Sequence, residues 1–145
     1  MDTLNPEQRH KAMAAVKSQN TTPELVVRKL LHKEGFRFRL HHKDLPGKPD
    51  ILLPKYNTII LVHGCFWHQH FGCNRSTRPT SNDHYWRAKL DRNIARDQKN
   101  ISELEALGWK ILVIWECETK DKFALSEKLS NFLSNIAFDN KKEIY

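Results

Sequence analysis

The chain has 145 residues, of which 39% are hydrophobic and 28% are charged, and its formal net charge is +7. This length and balance predict one folded domain with a sizeable core and exclude a disordered chain. No apolar run approaches the roughly 20 residues that a membrane-spanning helix needs, and the first residues lack the pattern of a secretion signal. We therefore expect a cytoplasmic protein with no membrane partner, whose three cysteines stay reduced and available to a metal.

Basic residues are unevenly distributed along the chain. The excess positive charge falls in residues 1–50 and 75–110, on either side of a segment rich in histidine and cysteine. Charge of this sign suits a polyanionic partner, and nucleic acid is the first to consider. A generally basic protein without such a partner would have the same composition, so charge alone leaves both interpretations open.

The chain begins with a predicted basic helix. Asn5 and Pro6 form a helix-start signal, and the helix would end near Lys17. We interpret residues 1–20 as an arm that contacts DNA. The alternative is a surface helix that packs Met13 on the domain.

A second helix follows the arm. Thr21 and Pro23 give its start signal, and Gly35 gives its end. Glu24 lies in the first turn, where a carboxylate interacts favourably with the positive end of the helix dipole. That interaction alone explains an acidic residue at this position, and a role in a functional site is the alternative.

Three strands are predicted next. Phe36–Leu40 alternates between apolar and charged residues, whereas Ile51–Leu53 and Thr58–Val62 are apolar runs typical of buried strands. The short turn between the last two predicts a hairpin. Asp50 directly precedes that hairpin, so it is either a turn residue or a carboxylate that binds a metal at the edge of the sheet.

A segment without periodicity separates the hairpin from a long helix. Residues 64–82 are too long for an ordinary loop in a compact domain unless they are functional or pinned. The helix begins at Asn82 and ends near Leu107, and Asp97 interrupts its apolar stripe. An acidic residue there needs an ion pair or a hydrogen bond, so this face either carries a salt bridge or looks into a polar site.

The C-terminal part of the chain predicts one more strand and one more helix. Residues 109–115 form the strand, and residues 123–136 carry the apolar spacing of the helix. We therefore interpret residues 21–137 as one domain and residues 138–145 as a polar tail. The order of elements indicates an α/β fold, in which helices flank a small mixed β-sheet.

Four side chains have the chemistry and spacing of a metal site. Cys65, His70 and Cys73 lie close together in the chain, and Cys117 ends the last strand. Three thiolates and one imidazole make a closed four-coordinate zinc site, which is structural because it leaves no position for a substrate. We therefore predict a structural Zn²⁺ that ties residues 64–82 to the sheet.

Histidines and carboxylates outside the zinc site suggest phosphate chemistry. Asp50 offers hard oxygen atoms that suit Mg²⁺, and a neutral His68 can take a proton from water at neutral pH. His63 ends the strand beside them. Glu24 and Asp97 are available to hold metal-bound waters and to orient the histidines.

Phe66 and Trp67 are two large aromatic residues in a polar loop. Such a pair normally plugs the core of a domain. Beside a basic surface, the pair could instead insert between base pairs of DNA. The sequence pattern leaves both interpretations open.

Five short motifs are distinctive, and they are Pro46–Asp50, His63–His68, Asn93–Asp97, Leu107–Trp109 and Trp115–Cys117. Together they resemble the very short patch repair (Vsr) family of DNA mismatch endonucleases, over about residues 9–118. The resemblance implies a restriction-endonuclease-like core. It also implies Mg²⁺-dependent nicking of one DNA strand, 5′ of the thymine in T:G mismatches that deamination of 5-methylcytosine leaves behind.

The resemblance assigns roles to individual residues. It implies that Asp50 and the backbone carbonyl of Val62 bind Mg²⁺, and that His68 is the general base. It implies that three side chains insert into the DNA beside the mismatch, namely Phe66, Trp67 and Met13. Supporting roles fall to Glu24, His63 and Asp97, and the structural zinc to Cys65, His70, Cys73 and Cys117.

Three departures from the family pattern bear on these roles. Val62 stands where the family often has threonine, and it is tolerated if only the backbone carbonyl serves the metal. The spacing from Cys65 to Cys73 is one residue longer, and we expect Gly72 to absorb the insertion. The Glu-x-Lys that follows the aspartate in restriction-type nucleases is missing, so His68 would replace the lysine.

The implied partner is double-stranded DNA with a mismatch, and other mismatch-repair proteins are further candidates. We expect residues 21–137 to act as a monomeric endonuclease domain. Two other functions stay open. One is a zinc-stapled DNA-binding module without catalysis, which would not need Asp50, Asp97 or His68. The other is a restriction-type endonuclease that cuts both strands.

Overall fold

The computed structural model of the protein describes the backbone of residues 19–144 and the side chains of residues 19–136. The predicted N-terminal helix, and with it Met13, lies outside the described residues. Helix α1 spans Thr22–Lys33, helix α2 spans Asp83–Ala106 and helix α3 spans Lys122–Ile144. The first two follow their predicted bounds closely, and α3 continues into residues 138–144.

The start and end signals of α1 act as the sequence predicts. The hydroxyl of Thr21 accepts a hydrogen bond from the backbone N–H of Glu24, and Pro23 occupies the first turn. Gly35 lies just beyond the helix with φ +84°, a conformation that favours glycine. These caps fix Glu24 in the first turn, on the side of the helix that is buried.

One mixed sheet of four strands forms the centre of the fold. The strands are β1 (Arg39–Leu40), β2 (Ile51–Leu53), β3 (Thr58–His63) and β4 (Lys110–Trp115), and they lie side by side in that order. The pairs β1–β2 and β2–β3 are antiparallel, and β3–β4 is parallel with His63 opposite Trp115. A parallel pair needs a crossover, and α2 provides it.

The first strand is shorter than the alternating pattern predicts, because only Arg39–Leu40 of residues 36–40 pair with a neighbour. Its partner β2 has three residues, and Pro54 then begins a 3-10 turn without a backbone N–H to donate. The backbone N–H of Phe36 donates instead to the carbonyl of Leu31 and closes the end of α1. Phe36 and Phe38 still pack against the core, which explains their apolar character.

The helices cover both faces of the sheet. On one face α1 and α3 pack against the sheet through Val27, Leu31, Leu125, Leu129 and Leu133. On the other face α2 packs through Leu104 against Leu52, Ile59 and Leu61. The predicted α/β fold, with a small mixed sheet flanked by helices, is confirmed. Within the described part of the chain, none of the helices combines the length and the hydropathy that crossing a membrane requires.

The topology brings several polar chain segments to one edge of the sheet. Asp50 precedes β2, His63 ends β3, and Trp115 ends β4. Because β2 runs antiparallel to β3 and β4 runs parallel to it, these three positions meet at the same edge. Residues 64–82 leave β3 at this point and lead into α2.

Candidate active site

An open cleft of about 1050 Å³ lies at this edge of the sheet. The structure brings all five predicted catalytic side chains to its walls. They are Glu24 from α1, Asp50 before β2, His63 at the end of β3, His68 from the following loop and Asp97 from α2. Cations lie around the acids, and those on the cleft walls are Lys43, Lys48, Lys89 and Arg96.

One wall of the cleft is the loop between β1 and β2. Gly47 in this loop has φ +73°, and a Cβ atom at this position would lie 2.6 Å from the side-chain nitrogen of Asn100 on α2. Only glycine combines this backbone conformation with such a close approach. The glycine therefore lets the loop that carries Lys43 and Lys48 dock against α2 beside the acids.

Asp50 is a half-buried carboxylate with a fixed orientation. The backbone N–H of Val62 donates a hydrogen bond of 2.9 Å to its Oδ2 atom. Burial raises the pKa of this carboxyl from 3.8 to about 6, and the negative charge of Glu24 adds to the rise. A carboxylate in this environment gains from a bound cation, because the cation offsets the loss of hydration.

Glu24 lies in the same site rather than only at a helix end. Its side chain is ion-paired with Arg28, and its Oε2 atom lies 2.9 Å from Nε2 of His41. Donor atoms of Glu24, His41 and Asp50 all lie within 4.8 Å of one another. Two carboxylates this close fit a divalent cation with oxygen ligands.

Asp97 and His68 form a second polar pair in the cleft. Nδ1 of His68 lies 2.6 Å from Oδ2 of Asp97. A carboxylate at Nδ1 keeps the proton on that nitrogen, so Nε2 of the neutral ring carries the lone pair. The acidic residue that interrupts the apolar stripe of α2 is therefore both paired and part of a polar site.

His63 lies behind His68. The two rings stack with their centroids 3.9 Å apart and an interplanar angle of 6°. Burial lowers the pKa of His63 to about 4, and the neighbouring His68 also lowers it. His63 is therefore neutral at pH 7, and it forms a flat, uncharged support for the His68 ring.

The four predicted zinc ligands form a cluster beside this cleft. Donor atoms of Cys65, His70, Cys73 and Cys117 all lie within 4.8 Å of one another. Nδ1 of His70 lies 3.7 Å from the sulfur of Cys65 and 3.5 Å from that of Cys117. With Zn–S near 2.3 Å and Zn–N near 2.0 Å, a tetrahedron places nitrogen and sulfur about 3.5 Å apart. The residues present therefore fit a Cys₃His metal site.

A turn at Gly72 lies within the longer spacing between the cysteines. This residue has φ +75°, and the preceding Phe71 is 99% exposed. The turn thus reaches into solvent, while the donor atoms of His70 and Cys73 on either side of it lie in the cluster. The ring of Trp115 stacks on His70 with centroids 4.2 Å apart, which fixes the imidazole against β4.

Phe66 and Trp67 are half-buried and line the cleft. Both rings contact Trp86 of α2, with centroid distances of 5.4 Å and 5.9 Å. The side chain of Asn93 donates a hydrogen bond of 3.0 Å to the backbone carbonyl of Trp67. Trp86 and Asn93 therefore hold the aromatic pair in place next to the polar site.

Some site features were missed by the sequence interpretation. His41 lies between the first two predicted strands, yet it lies opposite Asp50 and contacts Glu24. Finding it requires the β1–β2 register, which the residue pattern does not give. Arg28 shows only as a basic residue one helical turn after Glu24. For Val62, the structure gives the contact of its N–H with Asp50 and leaves the role of its carbonyl a prediction.

The chain is similar in sequence to DNA endonucleases over most of its length. The profile of the family described as "DNA mismatch endonuclease Vsr" matches residues 1–75. The type II nicking enzyme V.XorIIP of Xanthomonas oryzae pv. oryzae is 50% identical over 132 residues, which cover 91% of this chain and 96% of that enzyme. The DNA mismatch endonuclease Vsr of Escherichia coli is 35% identical over 127 residues, which cover 88% of this chain and 81% of that enzyme.

A solved structure with a similar fold is the catalytic domain of the homing endonuclease I-Bth0305I. The TM-score is 0.55 and the sequence identity is 22%, and the match covers 81% of this chain and 98% of that domain. At this identity the similarity concerns the fold alone.

Proposed function

Since this chain belongs to the Vsr family of DNA mismatch endonucleases, and is thus a DNA endonuclease of the nicking type, we propose that it nicks one strand 5′ of the thymine in T:G mismatches. This activity would start the repair of deaminated 5-methylcytosine, with Mg²⁺ as the catalytic cofactor. The observation that carries the proposal is the cleft in which the Glu24–Asp50 carboxylates lie beside the Asp97–His68 pair.

The basic residues at the cleft bind the DNA backbone. Lys43 and Lys48 on one wall, and Lys89 and Arg96 on another, offer charge to phosphates that approach the acids. Without these cations, the carboxylates would repel the polyanion. The basic side chains therefore attract the DNA, and its phosphates approach the acids at the centre of the cleft.

The aromatic pair recognises the disturbed base stack. Phe66 and Trp67 insert beside the mismatch, where unpairing takes less energy than in matched DNA. The ring of Trp86 contacts both rings, so Phe66 and Trp67 are held in position before DNA binds. Met13 is proposed as a third inserted side chain.

Two carboxylates and one carbonyl would hold the cofactor. Asp50 and the backbone carbonyl of Val62 would bind Mg²⁺ directly, and Glu24 would hold its waters. The bound cation supplies charge that stabilises the negative charge developing on the scissile phosphate. Asp50 is ionised at pH 7, because its pKa of about 6 lies below that value.

His68 takes the proton of the attacking water. Its Nε2 carries the free lone pair, because Asp97 keeps the Nδ1 proton in place. As the water oxygen forms its bond to phosphorus, the proton passes to Nε2, and Asp97 stabilises the imidazolium that results. The bond from phosphorus to the leaving sugar oxygen breaks, and that oxygen takes a proton from solvent. His63 stays neutral and holds the ring of His68 by stacking.

The zinc cluster is proposed to fix this loop. Cys65, His70 and Cys73 would bind Zn²⁺ together with Cys117 at the end of β4. Phe66, Trp67 and His68 lie between the first two ligands in the chain. Bracing both ends of this segment would hold the aromatic pair and the general base in one geometry.

Nicking of defined duplexes tests the proposal. Protein with Mg²⁺ should cut the T-containing strand of a T:G duplex and leave the matched T:A duplex intact. Asp50→Ala and His68→Ala should each lower nicking by at least about 10³-fold, because each removes a group that acts on the reacting atoms. His84→Ala is the control, because His84 is exposed and does not line the cleft.

A panel of all twelve mismatches, scored for nick position, separates the alternatives. Nicking by Asp50→Ala at the wild-type rate would contradict the mechanism. Binding of the mismatch without scission under any divalent metal would indicate a non-catalytic module. Cleavage of both strands in a matched duplex would indicate a restriction-type endonuclease.

A further inference from the structure

A polar cluster beside the proposed cation site has no role in the mechanism so far. Arg28 and His41 both contact the carboxylate of Glu24, which is 1% exposed. Nε2 of His41 lies 2.9 Å from Oε2, and the guanidinium of Arg28 donates to the same oxygen. Both contacts fall on Oε2, and within residues 19–136 the other oxygen of the carboxylate accepts no hydrogen bond.

His41 also contacts the backbone of the second acid. Its backbone N–H donates a hydrogen bond of 3.0 Å to the backbone carbonyl of Asp50. The residue has φ +48°, a conformation that residues other than glycine rarely adopt. Such strain is retained where the surroundings require it, and here one residue fixes the main chain of Asp50 and the side chain of Glu24 together.

Arg28 and His41 contribute differently to this arrangement. The guanidinium of Arg28 supplies a permanent positive charge, which a carboxylate as buried as Glu24 requires. Arg28 is itself held by a hydrogen bond of 2.6 Å to the side chain of Asn20. Because the charge comes from Arg28, the contribution of His41 is the direction in which the carboxylate points.

We propose that His41 is a positioning residue of the cation site, which donates a hydrogen bond to Oε2 of Glu24 and so orients the other oxygen toward the waters of a divalent cation that Asp50 binds. This inference rests on the proposed function, because it assumes that the two acids serve such a cation. The distances support this arrangement, because donor atoms of all three residues lie within 4.8 Å of one another. A carboxylate oriented in advance loses less conformational freedom when the ion binds.

Substitutions at His41 separate the hydrogen bond from the imidazole ring. His41→Gln keeps a side-chain N–H with a reach similar to that of Nε2, whereas His41→Leu has a similar size and no donor. His41→Asn keeps the amide but is too short to reach Glu24, and it replaces the leucine variant if that variant does not fold. His32→Leu is the matched control, because His32 is exposed near the end of α1 and does not line the cleft.

Direct binding of Mn²⁺ to the zinc-loaded, DNA-free protein is the primary measurement, with free Mn²⁺ followed by its electron paramagnetic resonance signal. We expect His41→Leu to weaken binding by about 10-fold to 100-fold, as is typical when a residue that orients the groups around a metal is removed. His41→Gln should stay within about threefold of the wild type, and His32→Leu should not differ from it. The half-saturating Mg²⁺ concentration for nicking should rise in parallel.

A double-mutant cycle tests whether His41 acts through Glu24. In a Glu24→Gln background, His41→Leu should cause little further loss of Mn²⁺ affinity. Independent, multiplicative losses would overturn the proposal, and so would unchanged Mn²⁺ binding by His41→Leu. Equal losses in His41→Gln and His41→Leu would also overturn it, because the imidazole would then be a ligand itself. If the wild type neither binds Mn²⁺ nor nicks DNA, the proposed function fails. If the wild type does both and the His41 variants bind Mn²⁺ as tightly as it does, this inference fails and the proposed function stands.

Discussion

At the scale of single residues, the buried carboxylate of Asp50 lowers the stability of the fold at neutral pH. Burial raises the pKa of this carboxyl to about 6, so the folded protein holds the neutral acid more tightly than the unfolded chain does. Stability from this group is fully present below about pH 4 and is lost as the pH rises to about 6. At neutral pH and without a bound cation, the ionised Asp50 therefore destabilises the fold.

Asp50→Asn should reverse that effect. The amide oxygen can still accept the hydrogen bond from Val62, and the buried charge is gone. One pKa unit corresponds to about 1.4 kcal/mol, so we expect the free energy of unfolding at pH 7 to rise on the order of 1–3 kcal/mol while nicking is lost. Urea unfolding in Mg²⁺-free buffer measures the change.

Measuring the free energy of unfolding at two pH values tests whether the charge of Asp50 causes the change. The stability difference between Asp50→Asn and wild type should grow from pH 5 to pH 7, whereas Asp44→Asn, at an exposed acid nearby, should match wild type at both values. A difference that is the same at pH 5 and pH 7 would mean that the charge of Asp50 is not its cause.

Some single residues of the candidate site can be identified from the sequence, and others cannot. Asp97 could be found because it interrupts an apolar stripe, and the pairing with His68 explains the interruption. His41 could not be found, since its importance follows from a contact with Glu24 across 17 positions of the chain. Such contacts depend on strand register and helix docking, which no local pattern determines.

At the scale of elements, residues 64–82 are the least regular part of the domain, and they contain most of the candidate site residues. Apart from one 3-10 turn, Asn74–Ser76, the segment has no regular secondary structure. Its backbone hydrogen bonds, such as the one from His70 N–H to the carbonyl of Cys65, join near neighbours in the chain. The Cys₃His cluster adds a contact to a distant part of the chain. Its fourth member, Cys117, connects this loop to the end of β4.

Cys117→Ser tests the importance of that connection. Without the fourth ligand, we expect loss of bound zinc, a free energy of unfolding lower by at least about 2 kcal/mol, and proteolytic cleavage within residues 64–82. Zinc content by atomic absorption and limited proteolysis provide the measurements. A variant that keeps both zinc and protease resistance would exclude Cys117 as a ligand.

Element bounds could be predicted where caps or apolar runs mark them. Gly35 and Gly108 end α1 and α2 as expected, with φ +84° and +97°. The strand over residues 36–40 was predicted too long, because alternation reports burial of side chains and says nothing of a partner's length. Pairing stops where β2 gives way to the turn at Pro54.

At the scale of the whole molecule, the net charge is +7, and some of the cations lie beside the acids of the cleft. Lys43 and Lys48 line the cleft, whereas Lys29 and Lys33 are exposed on α1 and do not. Each phosphate contact to duplex DNA contributes about 0.9 to the slope of log affinity against log salt concentration. Comparing the two lysine pairs therefore distinguishes the effect of charge at the cleft from the effect of the total charge.

We expect the Lys43→Ala/Lys48→Ala variant to reduce the salt slope of DNA binding by about 2, for matched and mismatched duplexes alike. The Lys29→Ala/Lys33→Ala variant loses the same charge and should keep the wild-type slope. Fluorescence anisotropy between about 50 and 200 mM salt measures both. Equal slopes for the two variants would show that only the total charge matters.

The parallel pairing of β3 and β4 has a consequence for biosynthesis. His63 and Trp115 lie side by side in the sheet, yet the ribosome makes them 52 positions apart, with all of α2 between them. Before β4 emerges, neither the Cys117 ligand nor the ring that stacks on His70 exists in the nascent chain. Fragments from interrupted translation that stop before β4 therefore lack these contacts beside the cleft, and we expect such fragments of this DNA endonuclease to be inactive.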